Sequence, residues 1–214
     1  MLLFPVLMLV GGGGALSAAE RFLAQDMNGE QHWNRARTTD RFWREARDAG
    51  AFPEGMQADG VYHTNGKTIR TRDVTNTTDA FEGGTLVLEG GVMQVKAGDH
   101  TVVKIERLVV RDGSIDASSG LFGGIPQSVV IGSLEQSGVT TFGAIAARGF
   151  NLKIGKLSGS GTIRFSGADA TSVFNVDIED ASGFTGVFVL DGGTLRVITA
   201  DGARPIPVLG DTDS

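Results

Sequence analysis

The sequence predicts an all-β protein built as a β-solenoid behind a short N-terminal α-helical cap, and three observations carry that prediction. Glycine supplies 32 of the 214 residues, about twice its usual share of ~7%. Short runs rich in Val, Ile, Leu, Phe and Thr recur from about residue 61 onward, separated by Gly, Asp, Asn or Ser, as strands are separated by turns. A glycine-strand phrase also repeats. Gly83-Gly84-Thr85-Leu86 returns as Gly192-Gly193-Thr194-Leu195, with Gly113-Ser114-Ile115, Gly138-Val139-Thr140 and Gly161-Thr162-Ile163 between.

Composition excludes several other classes. With 41% hydrophobic and 21% charged residues, the chain is too apolar for disorder. Five prolines and no Gly-X-Y period exclude collagen. A net charge of −6 argues against a dedicated nucleic-acid binder. The absence of cysteine removes disulfides, thiolate zinc sites and a cysteine nucleophile, and three histidines (His32, His63, His100) leave little for a histidine metal centre.

Residues 1–19 read as a secretory signal. Leu2 to Val10 form an apolar run of nine, too short to cross a ~30 Å hydrocarbon core as a helix. Gly11–Gly14 and then Ser17-Ala18-Ala19 follow, which places cleavage before Glu20. This predicts an extracellular or bacterial cell-surface protein with no transmembrane span. A buried N-terminal strand is the alternative, since the segment has no Lys or Arg ahead of its apolar run.

Residues 20–60 form a polar segment. Thr38-Thr39-Asp40 offers N-cap oxygens, RFWREARDA supplies helix formers and Gly50 a stop, so a helix is expected over about residues 40–49 with Phe42 and Ala46 on one face. Arg35, Arg37, Arg41, Arg44 and Arg47 alternate with Trp33 and Trp43, but Asp40, Glu45 and Asp48 are interspersed, so the arrangement reads as a solvated face. Trp43 is expected to pack this helix over the first coil.

Residues 61–202 form the predicted solenoid and 203–214 a C-terminal tail without hydrophobic anchor or basic cluster. Leu86 and Leu88 share a parity, as do Val176 and Ile178, so these strands bury one side. From Gly84 the phrase glycines are spaced 29, 25, 23 and 32 residues apart, which suggests coils of varying length. One coil cannot bury its own apolar side, whereas stacked coils share a continuous core. An antiparallel sandwich is the runner-up, with Asn65-Gly66, Asp112-Gly113 and Asp201-Gly202 as possible hairpin turns.

LSGSGTIRFSG (157–167) followed by GFTGVFVLDGGTLRV (183–197) resembles the autotransporter-associated β-strand repeat. FWREARDAGAFP (42–53), GVYHTNGKTIRT (60–71) and GGTLVLEGG (83–91) are similar to the N-terminal portion of secreted β-helix proteins of planctomycete and verrucomicrobial type. The resemblance covers roughly residues 40–200 and implies a right-handed parallel β-helix, exported, with an adhesive, matrix or glycan-facing role. It implies no catalytic residues.

No motif points to a cofactor, metal or catalytic site. Asp177, Glu179 and Asp180 are the densest acidic cluster, but Asp177 and Glu179 take the outward parity of a strand. Asp112 and Asp116 flank a turn glycine. The histidines lack metal-ligand spacing, and His63 and His100 read as surface or edge residues. Gly159-Ser160-Gly161 is a turn, not a nucleophile elbow, and Gly11–Gly14 lacks the Lys-Ser/Thr of a phosphate loop. Trp33, Trp43 and Tyr62, with Lys153, Arg164 and Arg196 on strands, are the candidates for holding acidic polysaccharide.

The expectation is therefore a secreted, non-enzymatic structural or adhesive module of five or six coils. Its last coil lacks an obvious cap and would pair end to end with another molecule. A polysaccharide-binding module, or a polysaccharide lyase or hydrolase on the same fold, is the alternative.

Overall fold

The computed structural model describes residues 18–34, 42–53, 55–98, 100–117, 126–144, 149–200 and 206–210. All of the expected signal except Ala18 and Ala19 lies outside the described residues. Within them the protein is all-β, a solenoid of about 6 turns with no helix.

The chain winds through three sheet faces in a fixed order. β1 (Glu20–Leu23) begins the first face and carries β2 (Trp43–Arg44) on its outer edge. β3 (Val61–His63) stacks on β1, β4 (Thr68–Arg70) turns onto the second face and β5 (Thr78–Ala80) onto the third. The later strands are longer and bend across corners. β6 (Thr85–Val95) runs over the first and second faces, and β7 (Val102–Ala117) covers all three. β8 (Gln127–Gln136), β10 (Phe150–Gly159) and β12 (Val173–Phe184) each cover the third and first faces. β9 (Val139–Gly143), β11 (Thr162–Ser166) and β13 (Val187–Asp191) continue the second. β14 (Thr194–Thr199) ends the third face and β15 (Val208–Gly210) the second.

Every pairing except β1–β2 is parallel. This excludes the sandwich, whose sheets are antiparallel. Parallel pairing also extends past the expected span of 61–202 at both ends, through β1 on β3 and β15 on β13. Asn65-Gly66 has positive φ at both residues, 56° and 73°, as a tight hairpin would. It serves instead as the corner between β3 and β4, which do not pair with each other.

Like stacks on like inside the coil. Ile105, Ile131, Ile154 and Ile178 form one inward column on the third face, and Val103, Val129, Leu152 and Val176 another. Leu86, Leu108, Leu134 and Leu157 line the first face, and Met93, Ile115, Phe142 and Phe165 the second. Neighbouring strands lie about 4.8 Å apart, which suits ring stacking. Phe142 and Phe165 have centroids 5.5 Å apart at an interplanar angle of 16°.

Glycine makes one corner possible. Gly91, Gly113, Gly138, Gly161 and Gly186 open the second-face strands, spaced 22, 25, 23 and 25 residues apart. A Cβ on Gly161 would meet the Gly138 carbonyl oxygen at 2.2 Å, and one on Gly186 would meet that of Gly161 at 2.2 Å. Gly138, Gly161 and Gly186 stack in register, whereas Gly113 stacks on Gly91 and stands opposite Thr140; Gly84 and Gly193 of the sequence phrase belong to neither stack. The two Gly-Gly-Thr-Leu phrases enter different faces, β6 on the first and β14 on the third. Their likeness is local, and the uneven outer spacings of 29 and 32 come from joining them to glycines of the second face.

The expected N-terminal helical cap is corrected. Of residues 40–49, those from 42 onward are described, and they form β2 and a run of bends; residues 40 and 41 lie outside the described residues. The reason is the edge of β1, whose backbone groups need partners. β2 pairs antiparallel to it, Leu23 opposite Trp43, and Ala24 N–H donates to the Phe42 carbonyl at 2.8 Å. A helix consumes its own backbone groups and cannot do this. Phe42 is buried as the sequence suggests, while Ala46 is exposed.

Capping is nonetheless aromatic. Trp33, Trp43, Tyr62 and Phe81 close the first coil, with Trp43 edge-on to Tyr62 at 5.0 Å and the Trp43 indole donating to the Trp33 carbonyl at 3.1 Å. The other edges are covered too. Met27 and Trp33 N–H groups donate to Thr68 and Arg70 carbonyls on the second face, both at 2.9 Å. On the third, the Asn34 side-chain amide acts as a strand, donating to the Ala80 carbonyl and accepting from Glu82 N–H at 3.0 Å.

Candidate functional site

The burial of the aromatics removes the expected platforms. Trp33, Trp43 and Tyr62 are 0%, 7% and 1% exposed, so none offers a ring to a sugar. Burial also pushes the Tyr62 phenol up, only partly offset by the hydrogen bond it accepts from Gln57 N–H.

The acidic candidates are dispersed by the coil geometry. Asp177 and Glu179 face outward, as their parity predicts. Glu179 pairs with Lys153 at 2.9 Å, and that hydrogen bond raises the Lys153 ammonium above its ordinary value. Asp180 turns to the Ser182 hydroxyl and N–H, which hold its carboxyl below the usual range. Asp112 accepts from Val139 N–H at 2.9 Å, a corner contact between coils. Asp116 lies further along the second face; burial pushes its carboxyl up, and the Ser114 hydroxyl partly offsets this at 3.3 Å. No group of three or more His, Asp or Glu among the described residues is placed to hold a metal.

The histidines separate in the same way. His100 sits exposed in a turn at φ 56°. His63, expected at the surface or at an edge, is buried instead, 8% exposed. Phe22 of β1 stacks on its ring at 4.7 Å, and Glu89 approaches its Nδ1 at 3.4 Å. Around them Arg47 pairs with Glu89 at 3.2 Å, donates to Asn65 at 2.6 Å and lies over Phe22, while Arg111 also pairs with Glu89. This charged cluster ties the bends after β2 to the second and third coils.

A shallow groove of about 460 Å³ runs along the outside of the third face. One row is Val102, Ser128, Asn151, Asn175 and Arg196; the next contains Val130, Lys153, Asp177 and Ile198. Asn175 Nδ2 donates to Asn151 Oδ1 at 2.8 Å, the start of a side-chain amide ladder. Two of the predicted basic residues, Lys153 and Arg196, meet here, whereas Arg164 lies on the second face against Asp191 at 3.4 Å. Sequence reasoning missed the asparagines. Their signal was the repeated phrase Phe-Asn-x-x-Ile at 150–154 and 174–178, which stacks residue on residue.

The two ends of the stack differ. The first coil is covered on all three faces, as described above. At the other end β14 pairs only with β12, and β15 only with β13, among the described residues. Ile198, Val208 and Leu209 there are 48%, 49% and 54% exposed. These features define a three-sided parallel β-solenoid, closed at its first coil and with apolar edge strands at its last. No family model, curated protein or solved structure matches the chain.

Proposed function

We propose that this chain is an exported structural or adhesive module, a right-handed parallel β-helix that makes its contacts through the last coil. The observation that carries the reading is the asymmetry of the ends. An aromatic cap, an antiparallel strand and an asparagine cover one; exposed Ile198, Val208 and Leu209 on edge strands mark the other. Right-handed winding is supported by the strong preference of parallel crossovers for that hand. Export is supported by the expected cleavage before Glu20, which is also where β1 begins. Cell fractionation and intact-mass analysis of the expressed full chain test this. Surface or medium protein beginning at Glu20 is expected, and cytosolic protein retaining Met1 overturns it.

The groove on the third face favours a second reading, an acidic-polysaccharide binder. Ser128, Asn151 and Asn175 offer a row of hydrogen-bonding groups at the strand spacing, with Lys153 and Arg196 beside them for carboxylates. Calorimetric titration with alginate and polygalacturonate tests it. Binding lost in Asn151→Ala/Asn175→Ala supports the groove, and release of cut chains from the same polymers is the sign of a lyase or hydrolase.

A further inference from the structure

The sealed first coil limits how two molecules of this protein can meet. Head-to-tail stacking needs an open edge at both ends, because a heterologous contact joins unlike surfaces. Here β2 and the Asn34 amide already occupy two edges of the first coil. Among the described residues the last coil presents β14 and β15 with one partner each, whereas the terminal strand at the first coil is the two-residue β2. Association through one kind of end is isologous and closes at two copies.

The β14 sequence then selects a register. Leu195 and Val197 extend the columns of Phe174 and Val176 and are half-buried, with Thr199 on the same side above Ile178. Thr194, Arg196 and Ile198 are the exposed alternates. Directly opposed residues of an antiparallel pair share a side. The two-fold axis must therefore pass through a residue rather than between two. An axis at Arg196 sets two guanidinium groups opposite each other, which is destabilising. An axis at Ile198 brings Leu195 opposite residue 201 and shortens the overlap. An axis at Val197 places Val197 opposite Val197, Leu195 opposite Thr199 and Arg196 opposite Ile198 of the second copy. No like charges meet, and the column Val103, Val129, Leu152, Val176, Val197 continues into the other molecule.

We propose that two copies of this chain join tail to tail, β14 antiparallel to β14 about Val197, into a closed dimer with one continuous core. This rests on the proposed role of the last coil and names its partner. The exposed apolar side chains at that end are few, so the dimer is weak and its population depends on concentration.

The chain contains no cysteine, so a single introduced one is a clean probe. Sedimentation equilibrium of the full chain over a wide concentration range should show monomer and dimer, with nothing larger. Val197→Cys should form a disulfide dimer on mild oxidation, and Arg196→Cys should not. Val197→Lys places two ammonium groups together and should raise the dimer dissociation constant by about tenfold or more, with its circular dichroism unchanged. Oxidative dimers from Arg196→Cys but not Val197→Cys overturn the register. Monomers throughout, or open-ended fibres, overturn the dimer. A monomer that is still exported overturns only this inference, whereas a cytosolic dimer overturns only the export reading.

Discussion

Replacing Phe165 by alanine is the sharpest test of the stacked core. Phe165 is 1% exposed, with ring centroids 5.5 Å from Phe142, 5.4 Å from Phe174 and 5.4 Å from Phe188. Burial of such a ring makes Phe→Ala worth about 3–5 kcal/mol. Three aromatic neighbours, each contributing about 0.5–1.5 kcal/mol beyond area, put this site at the upper end, near 5 kcal/mol. Leu195→Ala is the companion. Leu195 is half-buried with no strand beyond it among the described residues, so about 1–2 kcal/mol is expected. Urea unfolding by circular dichroism reads the stack, while tryptophan fluorescence reads Trp33 and Trp43 in the cap. A solenoid transmits stability between neighbours, so in Phe165→Ala the dichroism should fall at lower urea than the fluorescence. A loss below about 2 kcal/mol, or equal losses at the two sites, would refute a core built by coil-on-coil stacking.

Other perturbations probe separate parts of the argument. Gly186→Ala should yield little soluble protein, because its Cβ would sit 2.2 Å from the Gly161 carbonyl oxygen. Gly90→Ala, at φ 69° with open space around it, should lose only about 1–2 kcal/mol by thermal melting. Asp116 binds its proton more tightly folded than unfolded, so its contribution to stability falls as pH rises from the ordinary carboxylate range through its raised value. Asp116→Asn should therefore melt higher than the parent at neutral pH, with the gain vanishing at acid pH; a gain that persists in acid contradicts this. Tyr62 is the single tyrosine, so ultraviolet phenolate titration reads it alone. It should ionise above the ordinary tyrosine range while folded, and return to that range in urea.

Alternation along the chain decides which side of each strand is buried, and that much was readable without the fold. The inward parity of Leu86, Leu88, Val176 and Ile178 and the outward parity of Asp177 and Glu179 follow from local pattern alone. So does glycine between strands, since turns call for positive φ. The solenoid and its number of turns follow from the same repetition.

Pairing partners are a different matter, because they lie a coil apart and are chosen by stacking. Asn-Gly between strands has the same backbone in a hairpin as in the corner it makes at Asn65. The likeness of two Gly-Gly-Thr-Leu phrases carries no information about which face each enters. RFWREARDA has the composition of a helix, yet the open edge of β1 demands a strand from it and obtains Trp43–Arg44. The burial of Tyr62 and Trp33, the gathering of Lys153 and Arg196 in one groove with the Asn151–Asn175 pair, and the contrast between the ends likewise arise only when coils stack. Sequence determined sidedness and repetition, because sidedness is a local alternation of period two and repetition is a recurrence of short phrases along the chain. Tertiary structure decided register, capping and the surfaces left open, because these depend on the neighbouring coil.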